Sequence, residues 1–209
     1  MSIKKDKYYI NLANNIANNS TGYTGSNPSV GSILVKDDKI ISFGKTGITG
    51  RPHSEANALK KLSKKEKKNS TIYISLEPCS HFGKTSPCVN KIIDSGIKRV
   101  VYSINDIDNR TAGKACKILK SKKIKVKKNL LKNLSSKLYK KYFYSKKKQI
   151  PYVYGKLAIS KDFFIKDKKN FYITNKLSRE VTHIIRSKVN CILTTYKTIN
   201  TDNPKLNCR

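Results

Sequence analysis

The chain has 209 residues and a formal net charge of +32, which arises from 45 Lys and Arg residues against 13 Asp and Glu residues. This length allows one large domain or two small ones, with enough chain for a hydrophobic core. No segment is apolar over the length of a membrane span, and residues 1–15 lack the apolar core of a signal peptide. We therefore expect neither a membrane protein nor a secreted one.

The positive charge would suit nucleic acid, anionic membranes or phosphorylated substrates as partners. However, the Lys residues are spread along the whole chain, and Arg, which is preferred for bidentate recognition of phosphate, is scarce. We interpret the charge as a compositional bias and expect no specific nucleic-acid partner and no membrane partner.

The five cysteines lie at positions 79, 88, 116, 191 and 208. Their number is odd and their spacing is scattered, so they do not suggest a disulfide framework. We therefore expect the protein to be located in the reducing cytoplasm, where thiolates stay free to bind a metal.

Hydrophobic patterns predict an α/β domain over residues 1–148. In chain order they predict a helix over 7–18, a hairpin of strands 30–35 and 40–43, a helix from His53, strand 71–76, helix 88–95, strand 99–104, helix 113–120, strand 124–126 and helix 131–143. This order fits a three-layer α/β/α sandwich. A second unit begins at residue 149, with predicted strands over 152–158, 171–174 and 191–194 and a helix over 177–186.

The most informative residues lie between positions 53 and 88. His53, Cys79 and Cys88 provide one imidazole and two thiols, a ligand set for Zn²⁺, and a catalytic zinc site keeps its fourth position for water. Glu55 follows His53 by two residues, as in the H-x-E element of zinc deaminases of nucleobases, where the Glu moves protons without binding the metal. The sequence therefore predicts a zinc site with Glu55 as its catalytic residue.

The spacing of the two cysteines distinguishes this motif from related ones. Nucleobase deaminases have P-C-x-x-C, whereas residues 80–87 separate Cys79 from Cys88 here. A tRNA or nucleotide deaminase, which the basic charge could suit, is the alternative enzyme. A nucleic-acid-binding module with a structural zinc is the alternative from another class, although a structural site normally has four protein ligands.

Three segments carry a resemblance to a known family. Residues 77–88, E-P-C-S-H-F-G-K-T-S-P-C, resemble the E-P-C-x-H-x-G-[KR]-T-x-P-C segment of the riboflavin-biosynthesis pyrimidine deaminase/reductase family, RibD/RibG. Residues 27–31 resemble its N-P-x-V-G segment, and residues 50–55 resemble its G-R-P-H-A-E segment, with Ser54 for the usual Ala. The resemblance implies the cytidine-deaminase fold. It also implies deamination of 2,5-diamino-6-ribosylamino-4(3H)-pyrimidinone 5′-phosphate, a phosphorylated pyrimidine, to 5-amino-6-(5-phosphoribosylamino)uracil.

The resemblance further implies the substrate contacts of the deaminase. Asn27 would hold the pyrimidine through its side-chain amide. His81 would make a polar contact, and Lys84 would contact the phosphate or the ribose. Asp106 and Asp108, in a loop that resembles D-P-[DN]-P-x-V-x-G, would face the ribose.

Residues 149–209 resemble the beginning of the family's reductase, a dihydrofolate-reductase-like α/β domain that uses NADPH. That domain is much longer, so we expect a partial reductase domain and a chain that deaminates without reducing. A homo-oligomer is left open. The positions that match NADPH contacts are Ala158, Tyr172, Thr198 and Asp202, and those that match contacts with the reductase substrate are Asn170, Arg186, Leu206 and Arg209.

Overall fold

A computed structural model describes residues 2–165 and 172–208. The chain divides into two compact units, Met1–Tyr152 and Val153–Arg209. Among the described residues, no helix has both the length and the apolar character that a membrane span requires.

A mixed sheet forms the centre of the first unit. Its strands are β1 (Gly31–Lys36), β2 (Lys39–Lys45), β3 (Thr71–Ile74), β4 (Arg99–Tyr102) and β5 (Lys125–Lys127). They lie in the order β2-β1-β3-β4-β5, with β1 antiparallel to both β2 and β3, and with β3, β4 and β5 parallel to one another. The carboxyl ends of the three parallel strands therefore meet at one edge of the sheet, where α/β sheets usually carry their sites.

Helices cover both faces of this sheet. They are α1 (Ile3–Asn18), α2 (Ser54–Leu59), α3 (Lys64–Lys67), α4 (Cys88–Asp94), α5 (Lys114–Ser121) and α6 (Lys132–Lys148), and a short 3-10 turn spans Ile48–Gly50. Because successive side chains of a strand point to opposite faces, Ile72 and Ile74 of β3 pack with α2, α4 and α5, whereas Tyr73 packs with α1. The three-layer α/β/α sandwich predicted for this domain is confirmed.

The predicted elements of the first unit are present, with different ends. Helix α1 begins earlier than predicted because the Ser2 hydroxyl caps its first turn by accepting a hydrogen bond from Lys5 N. Helix α2 ends at Leu59, and α6 continues to Lys148, beyond its predicted end at residue 143. Strands β3 and β4 end two residues early, although Glu77 N still donates to Ile104 O at 2.9 Å.

The second unit contains helices α7 (Lys176–Ser187) and α8 (Tyr196–Asp202). The predicted helix over 177–186 is confirmed by α7. The strands predicted over 152–158 and 191–194 are wrong, because neither segment pairs with a neighbouring strand in the described part of the chain and a strand persists only when paired. The strand over 171–174 lies partly outside the described residues, and Tyr172 to Thr174 are not in a strand.

Candidate active site

The structure brings together the three predicted metal ligands at the carboxyl edge of the sheet. The Nδ1 atom of His53 lies 3.5 Å from Cys79 Sγ and 3.4 Å from Cys88 Sγ, and all three ligand atoms lie within 4.8 Å of one another. Tetrahedral zinc with Zn–N of about 2.0–2.1 Å and Zn–S of about 2.3 Å would place a nitrogen and a sulfur ligand about 3.6 Å apart. The donor types and their separations therefore fit a zinc ion.

Each ligand is placed by the end of a regular element. His53 is the N-cap residue of α2, Cys88 is the first residue of α4, and Cys79 follows β3. Gly44 of β2 allows α2 to approach the sheet, because a Cβ at this position would collide with the carbonyl oxygen of Ser54. The histidine is thereby held over the two thiols.

The surroundings of the two thiols shift their pKa values in opposite directions. Hydrogen bonds from Cys88 and His53 lower the pKa of the Cys79 thiol well below its usual range, against the opposing effect of burial. One of these hydrogen bonds is donated by the backbone N–H of Cys88 to Cys79 Sγ at 3.3 Å. The hydrogen bond with Cys79 and, after it, burial raise the pKa of the Cys88 thiol. Cys79 therefore loses its proton more readily than Cys88, and a bound zinc ion would hold both sulfurs as thiolates.

Glu55 lies beside this cluster and is almost completely buried, with 3% of its surface exposed. Burial raises the pKa of its carboxyl, whereas the charge of His53 and a hydrogen bond from Ser54 oppose the rise. The Ser54 hydroxyl donates to Glu55 Oε2 at 2.9 Å. A buried carboxyl with a raised pKa suits a group that both accepts and donates protons.

The segment between the two cysteines is hydrogen-bonded to two other parts of the chain. His81 Nδ1 lies 3.0 Å from the hydroxyl of Thr111, so the imidazole is fixed to the neighbouring loop. Arg51 donates to Thr85 Oγ1 at 2.9 Å and thereby ties the chain before His53 to the same segment. Lys84 is exposed on this segment.

The loop after β4 is held against β3 by the buried carboxylate of Glu77. Its Oε2 accepts hydrogen bonds from Asp106 N at 3.1 Å and Gly113 N at 3.0 Å, and its Oε1 accepts one from Ala115 N at 3.2 Å. Glu77 lies two residues before Cys79, so one short segment carries both a metal ligand and the anchor of this loop.

The two acidic residues predicted to face the ribose have hydrogen-bond partners within the protein. Asp106 Oδ1 accepts from the amides of Ile107 and Asp108 and from the Tyr142 hydroxyl, and burial raises the pKa of its carboxyl. Asp108 is paired with Arg110 and Lys146, and the hydrogen bond from Arg110 lowers its pKa. A cavity of about 660 Å³ lies beside these two cations.

Asn27 is fixed near the start of the metal-binding segment. Its side-chain Nδ2 donates to Gly50 O at 3.3 Å, and its backbone carbonyl oxygen accepts from Thr24 Oγ1 at 2.8 Å. The buried side chain of Thr46 stabilises the segment after Asn27, because its hydroxyl accepts a hydrogen bond from Val30 N at 2.9 Å. The amide of Asn27 thus lies in an ordered turn.

The residues that match reductase contacts do not form a buried site in the part of the chain that the structure describes. Tyr172 is exposed, with the guanidinium of Arg179 4.2 Å from the centre of its ring. Among the remaining matches, Ala158 and Leu206 are half-buried, Arg186 belongs to α7, Thr198 and Asp202 belong to α8, and Asn170 and Arg209 lie outside the described residues.

The sequence analysis missed several residues that support the site: Ser32, Arg51, Ser54, Glu77 and Thr111. Arg51, Ser54 and Glu77 stand inside the quoted motifs, which is a signal that could have drawn attention to them. Ser32 and Thr111 act through contacts with residues 22 and 30 positions away, which no local pattern reveals.

Comparison with known proteins gives consistent matches. Residues 3–104 match the family described as "Cytidine and deoxycytidylate deaminase zinc-binding region". The chain is 41% identical over 139 residues to the diaminohydroxyphosphoribosylamino-pyrimidine deaminase of Buchnera aphidicola subsp. Schizaphis graminum, covering 66% of this chain and 94% of that protein. It is 34% identical over 206 residues to the riboflavin biosynthesis protein RibD of Bacillus amyloliquefaciens, covering 98% of this chain and 55% of that protein.

A solved structure agrees with these matches. The diaminohydroxyphosphoribosylaminopyrimidine deaminase/5-amino-6-(5-phosphoribosylamino)uracil reductase of Thermotoga maritima superposes with a TM-score of 0.88 at 33% identity, covering 99% of this chain and 60% of that one. The chain spans about half the length of the RibD relatives that it matches.

Proposed function

Because the chain belongs to the family of diaminohydroxyphosphoribosylaminopyrimidine deaminases that includes the RibD proteins, we propose that it is a zinc-dependent deaminase of riboflavin biosynthesis. Its substrate is 2,5-diamino-6-ribosylamino-4(3H)-pyrimidinone 5′-phosphate, from which water displaces ammonia. The observation that carries this proposal is the cluster of His53, Cys79 and Cys88 beside the buried carboxylate of Glu55.

The ligand cluster and Glu55 divide the chemistry between them. His53, Cys79 and Cys88 would hold a zinc ion, which would supply a Lewis acid that lowers the pKa of water. Glu55 takes a proton from the attacking water as the oxygen adds to the ring carbon that bears the exocyclic amine. It delivers that proton to the ring nitrogen, then takes the second proton from the newly added hydroxyl and passes it to the amine, which leaves as ammonia while the oxygen becomes a carbonyl. One carboxylate serves as base and then as acid because it passes on each proton that it accepts before it takes the next.

The surrounding residues orient the substrate. Asn27 binds the pyrimidine edge through its amide, and His81 adds a polar contact from an imidazole held by Thr111. Lys84, on the exposed loop, neutralises the 5′-phosphate. Asp106 and Asp108 face the ribose, and their internal hydrogen bonds keep that loop ordered before the substrate arrives.

The match to a shorter relative supports deamination as the activity of the first unit. The Buchnera protein that bears only the deaminase name is covered almost completely, at 94% of its length. Reduction with NADPH would need a complete reductase domain, and a reductase activity is named for the Thermotoga maritima relative. In a complete domain, Ala158, Tyr172, Thr198 and Asp202 would contact the cofactor.

Ammonia release tests the proposal. The purified 209-residue chain, loaded with one equivalent of zinc, is expected to release ammonia from the diaminopyrimidinone ribosyl phosphate and to be inactive with cytidine, dCMP and tRNA. Activity should disappear on chelation and return on addition of zinc. Deamination of dCMP or tRNA without activity on the diaminopyrimidinone would instead support a nucleotide or tRNA deaminase. Stoichiometric zinc with no release of ammonia from any of these substrates would contradict an enzymatic role.

A further inference from the structure

Two buried hydroxyls stand in line behind the carboxylate of Glu55. Ser32 Oγ lies 2.6 Å from Ser54 Oγ, and Ser54 Oγ lies 2.9 Å from Glu55 Oε2. Both serines have no exposed surface. The three side chains therefore form a continuous hydrogen-bonded row that water does not reach.

The direction of the hydrogen bonds follows from proton counting. An ionised carboxylate only accepts hydrogen bonds, and each serine hydroxyl has one proton to donate. Ser54 gives its proton to Glu55, so the bond between the two serines must be donated by Ser32. The row runs from Ser32 through Ser54 to Glu55 Oε2.

The sheet provides the space for this row. Ser32 lies in β1, opposite Gly44 of β2 and Ile74 of β3, on the face covered by α2. Gly44 is the residue whose missing Cβ leaves room for the Ser54 backbone. The first turn of α2 can therefore approach β1 closely enough for the two hydroxyls to meet.

We propose that Ser32 and Ser54 are positioning residues, whose hydroxyl row anchors one oxygen of Glu55 and leaves Oε1 to move the proton. The inference rests on the proposed deaminase function for its catalytic consequence. A carboxylate that is held at one oxygen keeps a single orientation towards the metal cluster. A carboxylate that had to be oriented during the reaction would add an entropic cost to the barrier and lower the rate. The role of Ser54 is thus exerted through Glu55 and not through the substrate.

The kinetic test separates positioning from binding. We expect Ser54→Ala to lower kcat about tenfold while KM changes less than about twofold, because a hydrogen bond to an ionised group is lost and no substrate contact is removed. Ser32→Ala is expected to have a smaller effect on kcat, and zinc content should remain one per chain in both variants. Ser70→Ala serves as the matched control, since Ser70 is also fully buried and donates one hydrogen bond, to Lys67 O, at the opposite end of β3. It should reduce stability without changing kcat.

The double variant separates positioning from a general packing defect. In Ser54→Ala, the Ser32 hydroxyl stays buried without its acceptor, so the midpoint of denaturant unfolding should fall further than in Ser32→Ala. The Ser32→Ala/Ser54→Ala variant should regain part of that midpoint but none of the lost kcat. Recovery of kcat in the double variant, or an unchanged kcat in Ser54→Ala, would overturn the proposal.

The interpretation of the unfolding measurements does not depend on the proposed deaminase activity. They are made on the zinc-loaded protein without substrate, so they report the hydroxyl row even if the wild-type chain releases no ammonia. A non-additive effect of the two serine substitutions supports the row, and simple additivity of the two effects refutes it.

Discussion

Glu55 combines burial with a place beside the metal ligands, and these two features determine what its substitution should do. Gln at this position keeps the shape of the side chain and can still accept the hydrogen bond from Ser54 through its carbonyl oxygen. It cannot take up and release a proton. We expect Glu55→Gln to retain one zinc per chain and to lose deamination by about 100- to 10,000-fold. Metal analysis and ammonia release on the same preparation provide the measurement, and loss of stoichiometric zinc would place Glu55 among the ligands instead.

The three remaining cysteines lie outside the cluster of His53, Cys79 and Cys88. Cys116 is half-buried, and Cys191 and Cys208 are exposed. We expect simultaneous replacement of these three by Ala to leave the zinc content at one per chain and the deaminase activity within about twofold, because none of them contributes a ligand. Cys88→Ala is the matched control and should lose the metal. A fall in zinc content in the triple variant would indicate a fourth thiol ligand and hence a closed, structural site.

Residue type and spacing predicted that His53, Cys79 and Cys88 lie together, because these residues and Glu55 stand in short motifs whose chemistry is specific. The supports of the cluster could not be predicted in the same way. Glu77 accepts hydrogen bonds from three backbone amides that lie 29 to 38 positions away in the sequence. These partners can be identified only from the tertiary structure. Such contacts depend on tertiary structure and leave no local pattern.

Among the elements, α1 is tied to the sheet by one buried acidic residue. Asp6 has no exposed surface and accepts hydrogen bonds from Arg99 of β4, Lys127 of β5 and Tyr73 of β3. Burial alone would raise the pKa of its carboxyl. The hydrogen bonds from these three side chains outweigh that effect and lower the pKa from 3.8 to about 2.

The lowered pKa of Asp6 gives the stability of the fold a defined pH dependence. Because the folded-state pKa lies below the unfolded value, the stabilisation is present above about pH 4 and is lost as the pH falls towards 2. A shift of this size corresponds to about 2 kcal/mol in the free energy of unfolding. We expect wild type and Asp6→Asn to differ most near neutral pH and to converge by about pH 2. Urea unfolding of both proteins from pH 7 to pH 2 measures the difference, and a constant difference across that range would contradict the assignment.

The two halves of the chain show why elements were predicted with different success. In the first unit, β-branched segments such as 71–74 find partners on both sides, so the local pattern and the sheet agree. In the second unit, the segment 152–158 has the composition of a strand, but no neighbouring strand pairs with it in the part of the chain that the structure describes. The helix α7 was predictable because its hydrogen bonds close within the segment itself.

For the molecule as a whole, the net charge of +32 makes some attraction to polyanions unavoidable. The charge comes mostly from dispersed Lys, and side chains around the cluster such as Arg51, Glu77 and His81 are hydrogen-bonded within the protein. We expect RNA binding to be weak, to fall steeply with salt and to vanish near physiological ionic strength. Filter binding or fluorescence anisotropy with single-stranded and structured RNA from 50 to 300 mM salt checks this. Tight binding that persists at the upper end of this range would favour the nucleic-acid module over the deaminase.

Reduction with NADPH requires more than the presence of matching residues. Hydride transfer needs the nicotinamide held against its substrate by a preformed pocket. In the described part of residues 153–208, no residue is fully buried, and α7 exposes Leu177, Val181 and Ile184. Among the residues described there, no packed sheet surrounds the segments that match cofactor contacts. We expect the 209-residue chain to deaminate without oxidising NADPH.

The measurement supplies the deaminated product together with NADPH and follows the absorbance of the reduced nicotinamide. A chain that ends at Tyr152 is the matched comparison, and it should keep the deaminase activity because the metal cluster, Glu55 and the loop after β4 all lie in the first unit. Turnover of NADPH by the 209-residue chain would show that the second unit forms a working reductase site. Loss of deamination in the shorter chain would show that the second unit supports the first.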